Sequence, residues 1–210
     1  IPSIDARRLQ LAKKAGQQVM KLLANDIRPR HIVTKDSIHN ALTVDMALGG
    51  STNSILHLMA IAHEAGVDFP LSRVNEVSQR TPHLCKLSPD GDYHLEDLDG
   101  AGGIPAVMKE LQVLLNLEAK TVSGKSVAEI IKDSQFVDRE VIHSVTNAYS
   151  ATGGIVMLFG NLAPEGGVVK RSAVVPEMMV HQGPARVFDS EEEATTAIMG
   201  GSIEPGAVVV

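Results

Sequence analysis

The chain has 210 residues, of which 44% are hydrophobic and 21% charged, and its formal net charge is −6. This is the composition of an ordinary globular protein, and an acidic balance with no basic block argues against nucleic acid or an anionic membrane surface as a partner. No apolar run approaches the roughly 20 residues that span a bilayer, and with no Trp and only 3% aromatics the core is expected from Leu, Ile, Val, Ala and Met.

In chain order, Asp5 is placed to cap a helix from about Ala6 to Ala24, with Leu9, Ala12, Ala15, Val19, Leu22 and Leu23 recurring at helical spacing as a core-facing stripe. Thr34 starts a second helix through Ile38, Leu42, Asp45 and Met46, which Gly49-Gly50 ends. Ser51 or Thr52 caps a third, apolar nearly all round, expected to be deeply buried and to close at Gly66. Ser72 starts a short helix to about Arg80 with Val74 and Val77 facing inward. The stretch from Leu95 to Gly103 reads as a polar segment broken by glycine, and Pro105 opens a helix through Leu115.

After residue 117 the texture changes to short β-like runs: Lys120 to Val122, Val141 to Val145, Gly154 to Phe159, Gly167 to Lys170, Val174-Val175, Ala185 to Phe188 and Ala207 to Val210. Helices at about Ser126 to Lys132 and Ser190 to Met199 interrupt them, the second with a Ser190–Glu193 capping-box pattern. The fold class is α/β: residues 1–117 form a helical first domain and residues 118–210 begin a β-rich second one. The chain opens on Ile1 and ends on Val208-Val209-Val210 without a polar tail, which is the look of a piece of a longer protein.

Chemistry concentrates between Asp45 and Gly103. Ser51, Thr52 and Asn53 follow a Gly-Gly turn at a helix start, where backbone N–H groups can receive an anion or substrate, although a plain tight turn gives the same pattern. Cys85, the only cysteine, excludes an intrachain disulfide and fits a reducing compartment. A lone cysteine is often a small buried hydrophobe, but Pro82, Pro89 and Gly91 put this one on a loop, where ligation or reactivity is better served. His83 lies two residues away and could serve Cys85 as a base; Glu96, Asp97 and Asp99 could hold a divalent cation or simply be solvated. His57 and His63 lie on different helix faces, no His-x-x-x-His pair occurs, and Gly100-Ala101-Gly102-Gly103 lacks dinucleotide-binding spacing.

Five segments together resemble the dihydroxy-acid dehydratase family, which also contains sugar-acid and phosphogluconate dehydratases. They are Asp45 to Asn53, Pro82 to Pro89, Tyr93 to Ile104, Ala148 to Lys170, and Gly183 to Phe188 with Gly200-Gly201 and Pro205-Gly206. Cys85 followed by Lys86 is similar to the dihydroxy-acid branch. The resemblance implies a hydro-lyase that converts 2,3-dihydroxy-3-methyl carboxylates to 2-keto acids in branched-chain amino-acid synthesis. It implies an iron–sulfur cluster, two-iron ahead of four-iron, with Cys85 as one of its ligands, and Mg²⁺. It also implies a homodimer in the cytoplasm or an organelle matrix. Fold expectations sharpen to part of an α/β/α first domain followed by part of a β-barrel-like swivelling domain. The family's other cluster cysteines, its acidic metal ligands and its catalytic serine have no counterpart here, so no catalytic residue is assigned in this segment and the chain alone is expected to be inactive. A sugar-acid dehydratase and a non-catalytic anion-binding module are the alternatives.

Overall fold

The computed structural model describes residues 1–210. It is a mixed α/β structure with two compact units, residues 1–173 and 174–210. In the first unit α1 (Arg7–Ala24) and the single turn α2 (Pro29–Ile32) precede α3 (Lys35–Ala47), α4 (Thr52–Ala65) and α5 (Ser72–Arg80). Then come α6 (Leu95–Gly100), α7 (Gly103–Glu110), α8 (Val127–Ile131) and the antiparallel hairpin of β1 (Ile155–Leu158) and β2 (Gly167–Lys170).

α3 is the central helix, and its ends are set by local chemistry. Thr34 accepts the Ser37 N–H while the Ser37 hydroxyl reaches back to the Thr34 N–H, a reciprocal cap that satisfies donors every helix start leaves orphaned. Gly49 and Gly50, at φ 87° and 64°, turn the chain out of the helix. Ile38, Leu42 and Met46 face a core shared with Ile55, Ala62, Val74, Val77, Ile155 and Met157. Ala47 belongs to a second core with Leu84, Cys85, Leu98, Val107, Leu111, Val127, Ile131 and Ile142. Each fully buried Leu, Ile or Val side chain contributes about 1.5–3 kcal/mol. The segment from residue 117 onward packs into that second core through Leu117, Ala119 and Val127.

Two buried or half-buried asparagines act as clamps between distant segments. Asn40 of α3 donates to the Asn116 carbonyl at 3.0 Å and accepts the Asn116 N–H at 2.8 Å. Asn75 of α5 does the same for Met157 of β1, at 2.9 and 2.8 Å, replacing the backbone partner a neighbouring strand would supply. Asn40→Ala is expected to cost about 2 kcal/mol, because both Asn116 backbone groups lose their partner. The cost would appear as a lower urea midpoint at unchanged slope, and an unchanged midpoint would rule out the clamp.

Several expectations need correction. α1 has the predicted length, but none of its residues is buried, and Leu9 and Leu23 are 79% and 72% exposed. Periodicity identifies an apolar face without saying what covers it; α1 touches the rest of its unit through Gln18, which donates to the Val122 carbonyl, and through Arg7 beside Asp99. α4 is likewise buried only along Ile55 and Ala62, with Leu56 66% exposed. The segment expected to be a polar stretch from Leu95 is a helix, α6, whose first turn is closed by Asp97 accepting the His94 N–H. Lys120 to Val122, Val141 to Val145 and Val174-Val175 are not strands. Val141 and Ile142 instead insert into the second core from a turn, so their apolar character reflects burial and not a β period.

The second unit has β3 (Ala185–Arg186) paired in parallel with β4 (Val208–Val209), and α9 (Glu191–Met199) lies between them in sequence. Ser190 caps α9 by accepting the Glu193 N–H. None of this unit's residues is buried.

Candidate functional site

The C-terminal end of α3 gathers the chemistry-bearing segments. A helix end leaves carbonyls without partners, and here the Ala47 carbonyl accepts both the Leu84 N–H at 2.8 Å and the Cys85 N–H at 3.1 Å. The Cys85 loop is thereby fastened against the Gly49-Gly50 turn. The His83 ring stands so close that a Cβ on Gly49 would meet its Nε2 at 2.9 Å. The Tyr93 carbonyl accepts the Ser88 N–H at 2.7 Å, which brings up the start of α6.

A cleft of about 810 Å³ opens over this junction, lined by Asp45, Gly50, Ser51, Ser88, His94 and Lys170 among others. Ser51 is the N-cap of α4 and its hydroxyl accepts the Asn53 N–H at 3.2 Å; Thr52 and Asn53 lie exposed in the first turn. Lys170 of β2 pairs with Asp90 at 2.7 Å, and Ser172 donates to the same carboxyl oxygen at 3.2 Å. Lys170 and Ser88 stand in the sequence only as members of longer motif runs. No local spacing links Lys170 to a turn 120 residues earlier, and the hairpin's docking on α3 supplies the connection.

Cys85 is on a loop, as its neighbours indicate, but it is fully buried in the core with Ala47 and Leu84 and does not line the cleft. Burial pushes its thiol up to about 12, the opposite of an activated nucleophile. His83 does not serve it as a base: the ring Nε2 lies 2.9 Å from the Cys85 carbonyl, an acceptor, so this nitrogen carries the hydrogen and donates it. Desolvation also holds the His83 ring below its ordinary value. Around this loop His143 stacks on Tyr149 at 4.1 Å, and the Lys86 ammonium sits 4.9 Å over the Tyr149 ring.

Two of the three α6 acids have structural employment, and the third, Glu96, lines the cleft. Asp97 closes the first turn, and Asp99 pairs with Arg7 at 3.2 Å. No group of three or more His, Cys, Asp or Glu side chains is arranged to hold a metal ion. The donor set of this chain does not by itself fit an iron–sulfur cluster: it offers one sulfur, desolvated and protonated, where such clusters take several cysteine ligands. No helix is long and apolar enough to cross a membrane.

Residues 1–130 match the family model of the dihydroxy-acid/6-phosphogluconate dehydratase N-terminal region, and residues 140–210 match that of its C-terminal region. The chain is 59% identical over 210 residues to a dihydroxy-acid dehydratase of Dehalococcoides mccartyi (strain CBDB1), covering all of this chain and 38% of that protein. It is 60% identical over 212 residues to one from Carboxydothermus hydrogenoformans and 58% over 211 residues to one from Moorella thermoacetica, again with all of this chain and 38% of each relative. The chain thus spans well under half the length of these relatives. With family models matching nearly its whole length, this chain belongs to the dihydroxy-acid/6-phosphogluconate dehydratase family.

Proposed function

We propose that this chain is part of a hydro-lyase that converts 2,3-dihydroxy-3-methyl carboxylates to 2-keto acids in branched-chain amino-acid synthesis. The observation that supports this reading most is the convergence of the Asp45–Asn53, Pro82–Pro89 and Tyr93–Gly103 segments on one cleft, in a chain about 59% identical to proteins named for that reaction. The chemistry removes the C2 hydrogen as a proton and the C3 hydroxyl as water, and the resulting enol tautomerises to the keto acid. In this chain Ser51, which lines the cleft, and the neighbouring exposed Thr52 and Asn53 at the same helix start are the groups suited to receive a carboxylate and its hydroxyls, and Lys170 could join them only by leaving its pair with Asp90.

The full-length protein is proposed to carry an iron–sulfur cluster, with Cys85 as one ligand among several, and Mg²⁺. It is further proposed to be a homodimer in a reducing compartment, the cytoplasm or an organelle matrix. The two-domain division near residue 117 is kept as a proposal for the full-length protein. The discriminating assay offers the full-length protein 2,3-dihydroxy-3-methylbutanoate, gluconate and arabinonate. A kcat/KM at least about tenfold higher is expected on the branched acid, a difference of about 1.4 kcal/mol in transition-state binding. Preference for either sugar acid would transfer the protein to the sugar-acid branch, and no turnover of any would favour a non-catalytic module.

A further inference from the structure

Asp45 presents an anomaly that the proposed reaction leaves unexplained. It sits in the last turn of α3, where its Oδ1 accepts the Ser54 hydroxyl at 2.7 Å, joining α3 to the first turn of α4 across the Gly49-Gly50 corner. Its Oδ2 is shut off from solvent and has no hydrogen-bond partner, the only buried side-chain nitrogen or oxygen of the chain in that position. Gly50 presses on that same oxygen: a Cβ there would stand 2.9 Å from Oδ2 and 2.7 Å from Ile155 Cγ1. Asp45 as a whole is half-buried at the cleft wall, but a carboxylate with one oxygen shut away without a partner is costly, whereas a neutral carboxyl in the same place loses less solvation.

The charged and titratable groups around it do not offset this. Lys170, from β2, is the cation whose charge reaches it, and it is already committed to Asp90 at 2.7 Å. His83, on the Cys85 loop, faces Gly49 and not Asp45, and it donates to the Cys85 carbonyl. α4 contributes the Ser54 hydroxyl, and its N-cap Ser51 a backbone N–H that favours the charged form. Burial raises the Asp45 carboxyl above its ordinary value, against the opposing pull of the Ser54 hydroxyl, the Lys170 charge and the Ser51 backbone N–H.

We propose that Asp45 is a positioning residue that holds the Gly49–Ser51 corner, one wall of the cleft, as a neutral acid. Because it is raised in the folded state and ordinary in the unfolded one, its contribution runs opposite to that of a salt-bridged carboxylate. Stability is greatest below the ordinary Asp range and falls as pH rises from there through the raised folded value. Asp45→Asn keeps the Ser54 hydrogen bond and cannot ionise, so it removes this slope.

The test compares urea midpoints of the wild-type chain and Asp45→Asn from about pH 4 to about pH 8. The wild type is expected to lose ground relative to the variant as pH rises, and the variant to equal or exceed it at neutral pH. Parallel profiles would overturn the proposal. The Asp45 carboxyl ¹³C resonance provides a second readout that needs no variant: a titration midpoint above that of the exposed aspartates supports it, and one at or below theirs overturns it.

Discussion

Gly154→Ala is expected to cost about 3 kcal/mol or more and to leave little folded chain. A Cβ at this position would lie 2.4 Å from the Gly49 carbonyl oxygen and 2.9 Å from the Gly49 carbon atoms. Those are backbone atoms, so no rotamer change relieves the overlap. Neither side can retreat cheaply. Gly49 donates its N–H to the Met46 carbonyl at 3.3 Å, Gly153 donates to that of Ser78 at 2.8 Å, and the Gly154 carbonyl accepts the Ser172 N–H at 3.2 Å. Gly153 is similarly crowded, since a Cβ there would stand 2.7 Å from the Met46 Cβ. Separating the two backbones would lift β1 and its Ile155 away from Leu42 and Met46. Gly160→Ala is the matched control, since a Cβ there meets nothing within 4 Å, and its stability is expected to change by no more than about 0.5 kcal/mol. A Gly154→Ala protein as stable as the control would mean that the hairpin does not seat on the α3 corner.

The second large effect is catalytic: the purified 210-residue chain is expected to show no turnover of a dihydroxy acid. It carries one cysteine, fully buried, with its thiol pushed up to about 12, and no cluster of donors for a metal. Its relatives extend well beyond the matched region, since it covers 38% of their length. Measured turnover by this chain would place a complete site within it and overturn the assignment of Cys85 as one ligand of a larger set.

What the sequence conveyed depended on how local the cause was. The α3–α4 corner was readable because its determinants are adjacent: Thr34 at the start, Gly49-Gly50 at the turn, Ser51 at the next cap. α6 was not, because Asp97 rather than a Ser or Thr closes its first turn, and glycines follow it closely. The stripe on α1 was readable as a pattern and misleading as a prediction of burial, since spacing carries no information about a covering partner. The cleft was half legible. Ser51 to Asn53 and the Cys85 loop stood out as short motifs, while Asp45 stood out only as the start of the first motif, with nothing to say that one of its oxygens is shut away. Its orphaned oxygen arises from Gly50 and the docking of Ile155 above it. Asn40 and Asn75 left no mark at all, because each clamps a backbone far along the chain, 76 and 82 residues away.

We propose that the Cys85 loop, fastened to the end of α3, supplies one ligand to an iron–sulfur cluster in the full-length protein. The direct measurement is the iron and sulfide content of that full-length protein as wild type, Cys85→Ser and Cys85→Ala, each checked for retained secondary structure. The predicted result is a folded wild type with bound iron and sulfide and two folded variants that have lost most of both. Variants that keep the wild-type iron and sulfide content would contradict it.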